Sequence, residues 1–436
     1  MKLIVFVERI TNRLSYIFDL MLHGQLGIEY ELTNDVESFN TSDGPKLVYA
    51  KAPMVNALFQ KASKLLFEYS IVEQNPTSVD YGEVKGIFPV YHPDSIMPFD
   101  PFAAAFYFVS RYEEYLAQVR DCYGRFQAES TCMYEMGMLQ KPLVNIYAQH
   151  LGQILKAAYP KLTIKKRKFH FVPTYDIDAA WAYLHKGFYR TTGGFLRDLY
   201  HSDFAEIRKR HRVLMRREKD PFDTYDFQLE LQKKHNLHPV YFILCGDYDL
   251  NDKSISIRND AFIKLIKHIG DYAEVGIHPS FSSYLDSDRI QMEINRLSNI
   301  LNREITKNRQ HFLRMTMPRS YQKLIELDIT DDYTMGFASQ AGFRAGIADT
   351  FRFFDLENDV ITHLNVHPFA LMDGTARDYL NLDIETTYTL TTQLIDEVKA
   401  VDGTFVLLCH NETLSGQKRW IGWPELYRRI IEYARQ

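Results

Sequence analysis

Cysteine is scarce in this sequence: Cys122, Cys132, Cys245 and Cys409 are the only four, and no CxxC pair occurs among them. Their spacing gives no reason to invoke disulfides, and Cys245 and Cys409 sit in apolar runs that read as buried strands, so a reducing compartment is expected. Long hydrophobic runs are missing as well. The apolar start, Met1 to Val7, is interrupted by Glu8 and Arg9 with no small-residue cleavage site behind it, and no later window reaches the roughly 18 uninterrupted apolar residues of a membrane span. A soluble cytoplasmic protein without an integral membrane segment is therefore expected. Nor is there an excess of positive charge: 51 basic residues stand against 56 acidic ones, for a net charge of -5, which argues against a nucleic-acid partner that needs a broad basic face. Two local basic stretches remain. Lys165 to Lys168 is short; Arg208 to Lys219, with Arg210, Arg212, Arg216 and Arg217, reads as a solvated helix face able to meet an anionic sugar, a lipid headgroup or a nucleotide diphosphate.

What the chain does have is apolar bulk, 46% hydrophobic and 14% aromatic over 436 residues, enough for large cores and two domains. With no internal repeat or low-complexity tract, the division comes from changes of pattern. Residues 1–165 read as a mixed α/β domain, with strands at Leu3 to Val7 and Lys46 to Ala50 and helices at Ile10 to Leu22, Met97 to Leu116 and Val144 to Tyr159. The charged stretch Lys161 to Lys168 is the expected linker. Residues 166–436 alternate short apolar strands with amphipathic helices. The strands are Phe169 to Thr174, Pro239 to Leu244, Ala273 to Ile277 and Phe405 to Cys409; the helices are Thr224 to His235, Asp260 to Ile269, Asp286 to Asn302 and Thr386 to Val401. This is the pattern of parallel strands with crossover helices and predicts a distorted or incomplete (β/α) barrel.

Active sites of such barrels gather at the C-terminal strand ends, so the polar residues placed there carry the functional reading. The first strand ends in Thr174-Tyr175-Asp176-Ile177-Asp178. Carboxylates two apart in extended backbone face one way, so one can hold a divalent metal while the other acts as a general base. His278 follows the strand Ala273 to Ile277, where an imidazole can ligate metal. Arg309, His311 and Arg314 surround a short apolar strand, Phe312-Leu313, a costly arrangement to bury unless the guanidiniums find carboxylates or substrate oxygens. His410 emerges from the apolar run Phe405 to Cys409 and is placed to act as a general acid. Gly342-Phe343-Arg344-Ala345-Gly346 adds Arg344 as a carboxylate binder, and Asp373 is a further strand-end acid suited to an outer contact.

In order, carboxylate pair, His, Arg and His, each at a strand end, this arrangement resembles the polysaccharide deacetylase superfamily, also called carbohydrate esterase family 4. The family's TFDDG motif, with its base and its metal-binding Asp, is matched by Thr174 to Asp178. H-S/T-x-x-H is matched by His278-Pro279-Ser280-Phe281-Ser282, R-x-P-x-G by Arg309 to Leu313, and L-x-x-H by Leu407 to His410. Longer stretches, MPFDPFAAAFYFVSRYEEY, RQHFLRM and DYTMGFASQAGFRAG among them, are similar to a divergent branch with a separate N-terminal domain of unassigned function. The resemblance implies a hydrolase of carbohydrate metabolism that removes acetyl groups from an N- or O-acetylated sugar. Asp176 would be its base, Arg309 the residue that holds the base charged, and His410 its acid. Asp178 and His278 would hold Zn²⁺ or another divalent ion, and Tyr175, Arg314 and Arg344 would contact the substrate. Two departures bear on that reading: Ser282 replaces the second metal-binding His, and the second Asp is displaced by one position to Asp178. A zinc site needs about three protein ligands, so His311 is the expected third. The rival expectations are a degenerate carbohydrate-binding or scaffold protein, and a metal-independent hydrolase of a C–N bond.

Overall fold

A computed structural model describes residues 1–117 and 119–436. The N-terminal part opens with β1 (Leu3–Val7), α1 (Asn12–Phe18), β2 (Tyr30–Thr33), α2 (Val36–Thr41), β3 (Lys46–Ala50) and β4 (Leu58–Lys61), whose strands form a parallel sheet in the order β2-β1-β3-β4. A hairpin of β5 (Ser78–Tyr81) and β6 (Val84–Ile87) follows, then α3 (Pro101–Val109), α4 (Cys132–Glu135) and α5 (Leu143–Ala158). α3 begins where it does because Asp100 accepts hydrogen bonds from the Phe102 and Ala103 amides, with Pro101 at the first helical position. The helix stops at Val109, short of the expected Leu116, because Arg111 takes the left-handed conformation, φ 55°, and turns its guanidinium onto Glu114 at 2.9 Å. The expected helix from Ile10 to Leu22 is likewise split, into α1 and a π-helical turn over Asp19–Gln25.

The remainder holds a nine-stranded sheet. Its elements are β7 (His170–Ile177), α6 (Gly187–Tyr200), α7 (Phe204–Leu214), α8 (Tyr225–His235), β8 (Val240–Ile243), α9 (Asp260–Gly270), β9 (Glu274–Ile277) and α10 (Ser287–Leu301). There follow β10 (Lys307–Asn308), α11 (Arg319–Glu326), β11 (Asp331–Asp332), β12 (Phe351–Asp355), β13 (Val360–Val366), β14 (Leu371–Met372), α12 (Ile384–Ala400), β15 (Thr404–His410) and α13 (Trp423–Arg435). The strand order is β12-β13-β11-β10-β9-β8-β7-β15-β14, parallel throughout except where β12 meets β13. Helix boundaries follow their caps: Asn259, Asp286 and Asp383 accept first-turn amides of α9, α10 and α12, while Asn236 and Asn302 close α8 and α10 in the left-handed region.

Side chains alternate across this sheet. Val172, Val240, Phe242, Tyr333, Phe369, Val406 and Leu408 pack on one face as a small apolar cluster of their own, whereas Tyr175, Tyr241 and Cys409 turn to the other face and its helices. β7 runs three residues further than the sequence predicts, because its ladder with β15 continues to the pair His410 and Asp176. Between β13 and β14 the chain bridges two parts of the sheet: the Phe369 amide donates to the Met335 carbonyl at 3.0 Å and the Ala370 amide to the Val406 carbonyl at 3.4 Å.

The N-terminal part packs on the segment from 336 to 359, and one apolar cluster runs through both. Arg344 pairs with Glu114 at 2.6 Å, Tyr16 donates to the Arg352 carbonyl at 2.6 Å, and Asn145 and Arg167 both reach Asp349. Gly342 permits close approach there: at φ +139° a Cβ would lie 2.4 Å from the Leu139 carbonyl oxygen. The stretch Lys161 to Lys168 is tied down rather than loose, with Leu162 buried and the Lys165 amide donating to Leu26 at 2.9 Å. Among the described residues no helix is long and apolar enough to cross a membrane.

Candidate active site

The strand ends β7, β9 and β15, with the turn after β10, bring five expected residues to one cleft, Asp176, Asp178, His278, His311 and His410, with a sixth, Arg309, buried behind Asp176. Alternation along β7 points Thr174, Asp176 and Asp178 the same way, into the face lined by Phe242 and Val406. Arg309 is fully buried. Its Nη1 donates to Asp176 Oδ1 at 2.9 Å and to Thr174 Oγ1 at 2.8 Å, and its Nε donates to the Tyr333 carbonyl at 2.9 Å. The guanidinium lies 4.5 Å from the centre of the Phe242 ring. A buried carboxylate is thus kept with a bonded cation, the condition under which a desolvated charge is tolerated.

Asp178 is the hub. His278 Nε2 lies 3.2 Å from its Oδ1, His311 Nε2 3.4 Å from its Oδ2 and His410 Nε2 3.7 Å from its Oδ2. Oδ1, though near His278, accepts no aligned hydrogen bond. Ligand atoms of Asp178, His278 and His311 all fall within 4.8 Å of one another. Each imidazole already uses its other nitrogen: His278 Nδ1 contacts the Arg309 carbonyl at 2.5 Å, His311 Nδ1 contacts Asp252 at 2.8 Å, and His410 Nδ1 contacts Asp373 at 2.8 Å. Held at Nδ1 by an acceptor, a histidine presents Nε2 as a lone pair, the outer support that metal-ligating imidazoles receive. Two imidazoles and one carboxylate converging in this way fit a divalent ion such as Zn²⁺.

Charge is strongly coupled within the cleft. Burial would raise the Asp178 carboxyl, but the His311 charge and the close His278 and His311 imidazoles hold it well below the usual range. Burial would lower His311, but Asp178 and Asp252 carry it up to about 9. His410 is likewise desolvated, yet Asp373, with Asp178 and Asp176, holds it well above an ordinary histidine.

Two carboxylates complete the site. Asp252, buried in the loop after β8, accepts the Phe281 and Ser282 amides at 2.8 and 3.2 Å as well as His311. One side chain therefore fixes both the turn that carries Ser282 and the third imidazole. Sequence reasoning passed it over because it lies nine residues beyond the end of β8 rather than at it. Asp373, seen in the sequence only as a strand-end acid, accepts the His410 amide at 2.7 Å and the Thr413 hydroxyl besides the imidazole.

Three expected substrate contacts lie elsewhere. Tyr175 faces the opposite side of β7 and bonds Tyr427 at 2.7 Å. Arg344 is buried against Glu114, and Arg314 stacks on Phe281 and Tyr284, 4.6 and 3.9 Å from the ring centres. Tyr175 and Arg344 are thus bonded to other parts of the chain, while Arg314 makes only ring contacts.

Residues 3–160 match the profile of a family of unknown function, DUF7033. No curated protein matches the chain. Among solved structures, a protein of Mycobacterium smegmatis assigned as a polysaccharide deacetylase aligns at 12% identity and a TM-score of 0.39, over 61% of this chain and 85% of its own. Puue allantoinase aligns at 11% identity and 0.37, over 61% and 83%. A Bacillus anthracis protein described as a CE4 family pseudoenzyme aligns at 12% identity and 0.28, over 61% of each chain. These are remote likenesses, all with TM-scores below 0.5.

Proposed function

We propose that this protein is a metal-dependent hydrolase that removes an acetyl group from an N- or O-acetylated sugar, working in a distorted (β/α) barrel preceded by an N-terminal α/β domain of about residues 1–165. The observation that carries the reading is the convergence of three imidazole Nε2 atoms on Asp178, at 3.2, 3.4 and 3.7 Å, beside a second carboxylate clamped by Arg309. Barrel closure is supported by the segment from β13 to β14, which bonds the chain beyond β11 on one side and β15 on the other.

Asp178, His278 and His311 would hold the ion. A divalent ion bound there supplies Lewis acidity, polarising the acetyl carbonyl and lowering the pKa of water. Asp176 is the base: Arg309 fixes its Oδ1, and its Oδ2, 3.8 Å from His278 Nε2, faces the ligand cluster. It takes one proton from the attacking water, whose oxygen joins the acyl carbon. His410, oriented by Asp373, gives a proton to the departing nitrogen or oxygen as the C–N or C–O bond breaks, and the products are acetate and a free amine or hydroxyl. Ser282 does not leave the ligand set short in this arrangement, because His311 supplies the third donor.

The test is metal content by plasma mass spectrometry, together with acetate release from a panel of acetylated sugars, for wild type and His278→Ala. One ion per chain and acetate release in the wild type, both lost in the variant, are expected. A wild type that binds no zinc even after incubation with it would overturn the reading.

A further inference from the structure

Beside the cleft lies a chamber of about 700 Å³, a size suited to a small ligand. The two share Lys253, Glu412, Arg419 and Trp420 in their walls, so a molecule lying in the chamber extends directly into the cleft that holds Asp178 and His410. The chamber is strongly basic. α6 and the residue before it supply Lys186, Arg190 and Arg197, and α7 supplies Arg210. The loop after β8 adds Lys253, and the turn after β15 adds Lys418 and Arg419. These seven cations face two lining carboxylates, Glu206 and Glu412.

Several of the cations are already neutralised. Arg197 and Arg210 both bond the buried Asp198, Lys418 pairs with Glu206 at 2.9 Å and Arg419 with Glu412 at 2.8 Å. Arg190 spends its guanidinium on two carbonyls, Ser254 and Lys253. Among the described residues the Lys186 ammonium has no hydrogen-bonded partner; only the charges of its neighbours act on it. Burial, and next the charge of Arg190, push its ammonium down to about 8 against the opposing charge of Asp220, the condition of a partly desolvated cation with more cations than anions around it.

The backbone is shaped for the same purpose. Two consecutive glycines, Gly193 and Gly194, lie in the interior of α6, where glycine disfavours helix. At Gly194 a Cβ would lie 2.5 Å from the Arg210 guanidinium, which needs that space to slide under the helix; at Gly193 nothing lies within 4 Å, and the bare backbone widens the chamber. Arg210 is thus the one member of the basic stretch Arg208 to Lys219 that enters the chamber wall.

Resting on the acetyl-sugar reading, we propose that the chamber binds a phosphate or diphosphate group carried by the acetylated sugar, so that the substrate is a glycosyl phosphate anchored by Lys186 and its neighbours. The phosphate chemistry is common to a nucleoside-diphosphate sugar and to a lipid-linked sugar diphosphate. α6 makes the lipid source worth an arm of its own, because it exposes Phe188, Tyr189, Leu196 and Tyr200.

The experiment uses the full chain stripped of metal with a chelator, so that the probe does not ligate an ion in the cleft. Inorganic pyrophosphate is titrated calorimetrically into wild type, Lys186→Gln and Lys186→Arg. Binding of one pyrophosphate, weakened about tenfold or more in Lys186→Gln, restored in Lys186→Arg and falling with added salt, is the result expected for a charge-built site. No binding, or binding indifferent to Lys186→Gln, overturns the proposal. Displacement of pyrophosphate by a soluble nucleoside-diphosphate acetylhexosamine assigns the soluble source; co-sedimentation with vesicles containing a polyprenyl-diphosphate acetylhexosamine, lost in Lys186→Gln, assigns the lipid source. Displacement by neither overturns the proposal. Acetate release from unphosphorylated sugars is followed in parallel on zinc-loaded protein: pyrophosphate binding without acetate release from any substrate removes the hydrolase reading and leaves the anion site standing, and the reverse result removes only the anion site.

Discussion

Asp373 grips His410 twice: its Oδ1 meets the imidazole Nδ1 at 2.8 Å and its Oδ2 accepts the backbone amide of the same residue at 2.7 Å. One carboxylate so fixes both the ring and the strand end from which the ring projects, and leaves Nε2 as the atom offered to the cleft. Asp373→Asn keeps the shape but supplies at most one acceptor, and an amide nitrogen set toward Nδ1 favours the tautomer with its proton on Nε2. Loss of acid catalysis is worth about 10²–10⁴-fold. The expected outcome is a fall of that order in kcat with KM and metal content close to wild type. A matching loss of metal would show that Asp373 supports the ligand set instead.

Asp252 is expected to act on the metal and not on proton transfer. It bonds His311 Nδ1 and the Phe281 and Ser282 amides, so Asp252→Ala frees an imidazole ligand and the turn beside it. Loss of such an outer partner costs about 10–100-fold in metal affinity, read by competition with a chelator of known affinity. Asp252→Asn, which can still accept from His311 Nδ1, should recover part of the loss. Unchanged zinc affinity in Asp252→Ala would rule out His311 as a ligand.

The legible part of the site came from residues whose position is set by a strand end. Asp176, His278 and His410 lie at the ends of β7, β9 and β15, and apolar periodicity locates such ends well. Asp252 and the turn conformation of His311 were not legible, because both depend on where a loop folds back. Phe312 and Leu313, read from sequence as strand, take positive φ, 60° and 54°, and so turn His311 into the cleft. Tyr175 and Arg344, expected from sequence to contact substrate, lie away from the cleft for a different reason. A sequence shows that a polar group is present, but not that another part of the chain, here Tyr427 for one and Glu114 for the other, already satisfies it. The basic chamber is not legible in the sequence because its cations come from four separate segments that only the fold brings together.

Glu114 links the two halves of the chain and gives stability a pH signature. Burial would raise its carboxyl, but the charges of Arg344 and Arg111 bring it down to about 2 from an ordinary 4.5. A folded value below the unfolded one means that the ionised form stabilises the fold above pH 4.5, and that this contribution is lost as pH falls through that value toward 2. In Glu114→Gln Arg344 stays buried without its anion while Arg111 keeps only the longer pair with Glu113 at 3.7 Å, which costs about 3–5 kcal/mol at neutral pH. Urea unfolding from pH 7 to pH 3 should therefore show the wild type losing stability more steeply below about 4.5, so that the two proteins converge. Parallel curves would mean that the pair contributes no proton linkage.

Arg309→Lys tests whether charge alone sustains the base. The native guanidinium does three things from one rigid plane: it donates to Asp176 and Thr174 through Nη1, donates to the Tyr333 carbonyl through Nε, and stacks on Phe242. An ammonium keeps the positive charge near Asp176 but cannot reach all these partners at once, and being more strongly hydrated it is costlier to bury in this fully enclosed position. The Tyr333 carbonyl would then lose its donor, a cost of about 1–3 kcal/mol for a buried group. The expected result is a lower unfolding midpoint and a fall in kcat of about tenfold or more, since small displacements of a base are expensive. Zinc content should stay near one per chain because Asp178, His278 and His311 do not bond the guanidinium. Activity equal to wild type would show that Asp176 needs only a nearby cation, and that the fork geometry of Arg309 serves the fold alone.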